Sequence, residues 1–543
     1  MMSRQKDPQG NAIFSEPTNQ PNAATSLKTN PGNPEEAHVD QREICPFVEG
    51  PYQIRVLLIT MLCGGVYFIQ IKNFHLATHV MDYWCRRPEP FSTMSPAEWK
   101  ALAIPVDPSG NYSRCTVREP PDGGTGARVV PCTDWEFDLS QYGGNMVSAW
   151  NLVCERRWLK TLSVVLHITT AMVVVPLAGV LADRIGRKTV CFVSLTSLIM
   201  TLVASSFVTN FLQYAITCSV ALASSSNLVI LLVLLYEVTT PPRRLLYCTL
   251  APSLAAILEI PFYFTVKLLR LNPLTSHFVL AVMALALVGS FYVLEESPVW
   301  LVAAHKEDEA ELVVLRVAAV NGLSPSSGRS LFRKELRRMS REPYSLQADE
   351  SHLCGELRKC SIMLVYIWTT LGWVHGHYAL DRGLPASDYV VIGSYICVCA
   401  AYVALVPFLG SLRRVVNAAI VSCMVSSASS ALLFAVGIKG GETTLRAVLF
   451  VIQRASAMLN IAVMFFVTKS LYPVEVRAFS VCVSVQLSMI SDFVEEFAFT
   501  PTTIEREEVA LAVTAVLMAL VSVTVNYLPS NCASMTTKTI QGT

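Results

Sequence analysis

Charge is what this sequence has least of: Asp, Glu, Lys and Arg make up 15% of its 543 residues, while 52% are hydrophobic. With a mean hydropathy of +0.45, the chain has too little polar surface to enclose itself in water, which excludes an ordinary soluble protein. The net charge is only +1, leaving no bulk basic field for nucleic acid and no acidic tail for a basic partner. A Gly-rich phosphate loop is absent, as are a nucleophile elbow, a metal-ligand cluster and any cofactor motif. Neither ATP-driven work nor enzymatic chemistry is therefore expected, and no cofactor. A cleavable signal peptide is missing too. The first forty-odd residues are polar and rich in Pro, Asn and Glu, which reads as a disordered cytoplasmic arm, with the first apolar helix inserting as an anchor.

What the chain has instead is long apolar runs. A helix needs about 20 apolar residues to cross a hydrocarbon core of ~30 Å, because every backbone donor and acceptor must be satisfied inside the segment. Twelve stretches qualify: Arg55 to Ile71, Leu159 to Ala182, Thr189 to Val208, Phe211 to Tyr236, Leu245 to Val266, His277 to Leu294, Ser361 to Leu380, Tyr389 to Leu409, Val415 to Val436, Arg446 to Thr468, Ala478 to Thr500 and Val509 to Leu528. The expected organisation is an arm 1–52, a six-helix bundle 53–294 that includes an outer loop 73–157, a linker 295–359, a second six-helix bundle 360–528 and a tail 529–543. The fold class is an all-α membrane protein of twelve transmembrane helices in two pseudo-symmetric bundles.

The loops set the orientation. Counted from an inside N-terminus, the turns with Arg184, Arg187 and Lys188, with Arg243 and Arg244, and with Arg413 and Arg414 all fall inside, as does the linker with Arg329, Arg333, Lys334, Arg337, Arg338 and Arg341. That satisfies the positive-inside rule and puts both termini in the cytoplasm. The outer loop holds Cys85, Cys115, Cys132 and Cys154 and a glycosylation sequon at Asn111. Four cysteines in an oxidising compartment imply two disulfides, in one of three pairings. The linker reads as two surface helices, Glu307 to Val320 and Ser330 to Ser340. The second places Phe332, Leu336 and Met339 on one stripe, suited to the membrane face, to the underside of the bundle or to a partner.

The two halves repeat one another weakly. GVLADRIGRK (Gly179 to Lys188) after helix 2 corresponds to GSLRR (Gly410 to Arg414) after helix 8, and EVTTPPRR (Glu237 to Arg244) after helix 4 to SLYPVEVR (Ser470 to Arg477) after helix 10. Parallel six-helix repeats mark one large transporter architecture. Together with EGPYQIR (Glu49 to Arg55), CTDWEFD (Cys132 to Asp138), SAWNLVCERRWL (Ser148 to Leu159), EESPVWL (Glu295 to Leu301) and VNG (Val320 to Gly322), these elements make the chain resemble the organic cation, anion and zwitterion transporter family of the major facilitator superfamily.

The resemblance implies a cytoplasmic latch of Asp183, Arg184, Gly186, Arg187 and Lys188 with Glu237, Arg243, Arg244 and Arg477. Its charges would pair in one conformation only, letting the halves rock about a central site. The same basic residues would also stand there if they did no more than enforce topology. Ionisable residues inside the spans are the other candidates, since burying each costs about 2.5–3.5 kcal/mol on insertion scales. Glu259, Arg454 and Asp492 each lie about 22 Å from a basic helix end at ~1.5 Å per residue, with Glu495 or Glu496 a turn beyond Asp492. Arg454 and Asp492 are expected to pair beside the cavity, or as a purely structural pair, with Glu259 facing a cationic substrate across the cleft. Trp368, Trp373, Tyr378 and Tyr263 are candidate cavity aromatics, and His375 and His167 weaker polar ones. Pro252 and Pro261 flank Glu259, which suits a helix broken at a cavity or a plain kink.

Departures from the pattern are many. Helix 4 lacks its usual Arg near Thr217 and Cys218, the second-half turn has Leu409 and Leu412 for Asp and Gly, Cys397 and Cys399 replace a Glu and a Pro, and Met489 occupies the position that tends to report substrate charge. The expected function is alternating-access transport of small organic ions, cations or zwitterions favoured, across the plasma membrane. The alternative is a receptor or scaffold that keeps the fold without transport. The expected partners are the lipid bilayer and a small organic ion, with no nucleic acid.

Overall fold

The computed structural model describes residues 48–107, 110–121, 127–140, 143–341, 350–379, 393, 396–397, 400, 412–438, 443–498 and 505–541. Helix α1 (Pro51–Thr78) opens on a proline, whose fixed φ suits a first helical position. It runs on to Thr78 where the sequence suggested an end at Ile71, so Lys72 lies inside a helix.

A small domain follows. Strand β1 (Tyr83–Cys85) pairs antiparallel with β4 (Trp135–Phe137), and β2 (Thr116–Glu119) with β3 (Arg128–Pro131). Helices α2 (Pro96–Ala103) and α3 (Met146–Ala149) complete it. Among the described residues its own buried cluster is Trp84, Trp99, Ala103 and Ile104, while Met146 and Val147 of α3 are buried in a second cluster shared with the bundle. So small a core needs covalent help, and of the pairings left open the chain adopts Cys85–Cys132 and Cys115–Cys154, with Cα separations of 5.6 and 5.7 Å. Asn111 is exposed on this domain.

The first bundle continues with α4 (Arg157–Ile185) and α5 (Arg187–Ser205). The fourth crossing is α6 (Phe211–Ser226) and α7 (Ile230–Val238), joined by a 3-10 turn at Asn227–Val229. The fifth is α8 (Pro241–Ile257) and α9 (Glu259–Leu269), and α10 (Pro273–Val288) is the sixth. The sequence suggested an unbroken fourth helix, and a fifth broken or kinked near Glu259 by Pro252 and Pro261. Both breaks have local causes. Ser225 and Ser226 donate back to the Leu222 carbonyl at 2.8 and 2.9 Å, which bends a helix. Pro261 offers no N–H to the turn before it and crowds the carbonyl four residues earlier.

The linker folds as α11 (Pro298–Ala303), α12 (Glu307–Val320) and α13 (Pro325–Arg341). The bounds of α12 are those read from the sequence, and Glu307, Asp308 and Glu309 in its first turn complement the helix dipole. The second half contains α14 (Glu350–Ala379), α15 (Leu412–Ile438), α16 (Thr443–Leu471), α17 (Arg477–Ala498) and α18 (Glu505–Gln541).

Nine segments among the described residues are long and apolar enough to cross a membrane. Helices α14 and α17 stand where the seventh and eleventh crossings were expected. The expected eighth, Tyr389 to Leu409, lies almost wholly outside the described residues. The fourth crossing is the most enclosed, with 94% of its apolar window buried. Across the halves α4 packs on α17 and α8 on α16, and one apolar cluster is continuous through both.

Candidate functional site

Two groups of charged side chains are held inside this bundle. The first lies where α4 meets α17. Gly186 connects α4 to α5 at φ +107°, a conformation that favours glycine. A Cβ there would also collide with the Glu296 carboxylate. That carboxylate accepts from the backbone N–H groups of Arg187 (3.0 Å), Lys188 (3.1 Å) and Ser297 (2.9 Å), which caps the N-terminus of α5. Burial pushes the Glu296 carboxyl above the usual range, while these donors and Arg187 pull it back. Gly186→Ala should therefore cost more than the ~1–2 kcal/mol of a left-handed residue, read as a lower thermal midpoint of the purified protein, with Glu296→Gln milder.

The turn aims Arg187 inward, fully buried. Its guanidinium meets Asp183 at 3.2 Å and Glu237 at 3.2 Å, and donates to the Val474 carbonyl of the second half at 2.7 Å. Arg477, at the start of α17, meets Glu237 from the other side at 3.2 Å. The Asp183 carboxylate accepts from the backbone N–H groups of Ala478 (3.2 Å) and Phe479 (2.9 Å), so a first-half side chain caps a second-half helix. Gly179 permits the approach, since a Cβ there would lie 2.7 Å from the Phe479 Cα. Asp183, Arg187, Glu237 and Arg477 thus form one cross-half network. Arg184 and Arg243 are exposed and take no part in it.

No sequence pattern singled out Tyr236, which lies beside this network. Its ring is 4% exposed and has Arg244 at 4.8 Å, Arg477 at 5.1 Å and Lys469 at 6.0 Å from its centroid. Arg244 also donates to the Thr239 carbonyl at 3.0 Å, and Lys469, fully buried, to the Leu232 carbonyl at 3.2 Å. Phe466 of α16 meets the ring edge-on at 6.0 Å. An aromatic face adds negative potential for these cations beside that of Glu237, which pairs with Arg477.

Two motifs find their use alongside. Asn321 of VNG accepts from the Tyr52 N–H at 3.0 Å and donates to the Val48 carbonyl at 2.9 Å and to Gln53 at 3.1 Å. Gln53 donates to the Val238 carbonyl beside Glu237 at 3.3 Å. The linker is thereby tied to the start of α1 and to the latch.

The second group lies deeper. Glu259 begins α9 at the break in the fifth crossing, against which α1 turns Gly64 and Gly65 toward Ala255 and Leu258. Its charge interacts with those of Lys72 on α1 and Arg454 on α16. Lys72 lies over the Tyr263 ring at 5.2 Å. Asp492 and His375 fall within α17 and α14, but their side chains, with those of Glu495, Glu496 and Tyr378, lie outside the described residues. Trp368 is 2% exposed and packed, donating to Thr468 at 3.1 Å and meeting Phe465 edge-on. Trp373 donates to Thr514 at 3.1 Å, and His167 stacks on Phe74 at 4.3 Å.

No family model matches the chain. It is 28% identical over 272 residues to the beta-alanine transporter of Drosophila melanogaster, covering 45% of each chain. It is 27% identical to human organic cation/carnitine transporter 2, covering 47% of this chain and 46% of that one. It is 23% identical over 450 residues to solute carrier family 22 member 6 of Mus musculus, covering 79% and 81%. In its alignments with the first two of these, the chain spans about half the length of the curated relative. Among solved structures, the major facilitator proton:xylose symporter XylE bound to 6-bromo-6-deoxy-D-glucose superposes with a TM-score of 0.60 at 12% identity, over 88% of this chain and 96% of that one. A partially occluded inward-open form of XylE from E. coli gives 0.56 at 11%, over 87% and 96%. The chain is a multi-pass membrane protein of the major facilitator fold, similar in sequence to transporters of solute carrier family 22.

Proposed function

We propose that this protein carries small organic ions across the plasma membrane by alternating access, with both termini cytoplasmic. The observation that carries this reading is Arg187: one fully buried guanidinium binds two carboxylates of its own half and a carbonyl of the other. Such a network exists whole or broken, which is what a gate requires. Glu259 with Lys72 and Arg454 serves as the charge-reading group. It presents both signs, which suits a zwitterion or a cation with a second polar end. The relatives named for beta-alanine and for carnitine support the same class. For any substrate with net positive charge the membrane potential supplies ~2.3 kcal/mol per 100 mV.

Reconstituted vesicles test this directly. Labelled beta-alanine, carnitine and a simple tetraalkylammonium should include at least one substrate with saturable uptake and counterflow. Glu259→Gln should lower that uptake about tenfold, the loss of one charge-assisted contact of ~1.5 kcal/mol. Binding without flux across the panel would instead favour a receptor that has kept the fold. That second reading draws on the turn after helix 8, where Leu409 and Leu412 replace the Asp and Gly that the first half uses in its latch.

A further inference from the structure

Helix α13 turns a basic face away from the bundle. Its apolar side is already covered: Phe332 is 3% exposed, Leu336 packs on the main apolar cluster, and Gly328 sits against Ala318 and Leu315 of α12. Phe332 and Leu336 therefore face the underside of the bundle and are not available to enter lipid. Arg329, Arg333 and Arg337 recur every fourth residue along one row, and Lys334 stands opposite Phe332 on the helix. Arg333, Lys334 and Arg337 are all exposed. A row of like charges at this spacing weakens a helix. Glu311 offsets Arg329 at 3.1 Å.

We propose that this face binds the anionic phospholipid headgroups of the adjoining leaflet. Location favours lipid over any soluble partner. Trp300 of α11 donates to the Asp183 carbonyl at 2.8 Å, which holds the linker against the latch end of the bundle. That end carries the basic turns, and by the positive-inside rule it faces the anionic cytoplasmic leaflet. Headgroups there are present at high local concentration within a Debye length of the helix. The linker also reaches α1 and the end of α7 through Asn321 and Gln53, so a lipid bound to α13 acts on the segment that holds Glu237.

The full-length protein, extracted from vesicles made of equal amounts of phosphatidylserine and phosphatidylcholine, tests this through its retained lipid. Wild-type protein should retain phosphatidylserine at least fivefold over phosphatidylcholine, about the factor that one basic residue near such a surface contributes. High salt should erase the preference. The triple variant Arg333→Gln, Lys334→Gln, Arg337→Gln should retain the two lipids equally while eluting as a single species. Should that variant aggregate, Lys334→Gln alone should still lower the ratio severalfold. Equal retention by wild type, or an unchanged ratio in the folded variants, overturns the proposal. A wild-type protein indifferent to phosphatidylserine that captures polyglutamate would overturn it also, giving the face to an acidic protein.

Discussion

Replacing Arg187 by glutamine should slow substrate uptake by about 100-fold or more while leaving the protein folded in detergent. The side chain is fully buried and pairs with Asp183 and Glu237 at once. Removing one member of a buried charge network leaves the others uncompensated, which costs ~3–5 kcal/mol. Each ~1.4 kcal/mol is a factor of ten in an equilibrium, so the closed state should lose its dominance over any state in which α4 and α17 part. Cys482 offers an internal reporter, because it is fully buried at this seam and lies 3.0 Å from where a Cβ on Gly179 would be. Labelling of Cys482 by a membrane-impermeant maleimide from the cytoplasmic side, mapped by peptide mass, should rise in Arg187→Gln. Adding Glu237→Gln should restore part of the loss, since the two residues are coupled. Wild-type uptake in Arg187→Gln would reduce the network to a device of topology.

The parts of this architecture visible in the sequence were those governed by local periodicity and composition. Helix α12 was legible to the residue because acids open it and Asn-Gly closes it. The break at Leu258 was foreshadowed by Pro252 and Pro261, though not its position. What escaped was whatever depends on distant pairing. Lys72 lay just past the point where apolar character fades at Ile71, yet the helix continues through it to Asn73, whose amide oxygen accepts from the Ser276 hydroxyl of α10 at 2.7 Å. Tyr236 looked like one more apolar residue in the fourth crossing, and only the fold brings three cations from α8, α16 and α17 around it. Trp368, a candidate cavity aromatic from the sequence, donates to Thr468 and meets Phe465 of α16 edge-on, contacts that no local pattern announces. Arg184 and Arg187 are alike in a motif, but Arg184 faces outward at the end of α4, whereas the Gly186 turn aims Arg187, at the start of α5, inward.

Tyr236 carries the remaining large effect. Tyr236→Leu should cut uptake about 30-fold, and Tyr236→Phe less than twofold. Desolvated cation–π contacts are worth about 2 kcal/mol, which converts to ~30-fold at 1.4 kcal/mol per tenfold. The three contacts share one ring, so their sum is not expected. Phenylalanine keeps the face that Arg244, Arg477 and Lys469 approach, whereas leucine fills a similar space without the quadrupole. Removing a cation supplies the control that packing alone does not: Lys469→Met should be harmful by itself, since Lys469 also holds the Leu232 carbonyl, yet should partly rescue Tyr236→Leu by relieving uncompensated positive charge. If leucine and phenylalanine behave alike, the ring matters only for its volume, and the buried cations owe nothing to its face.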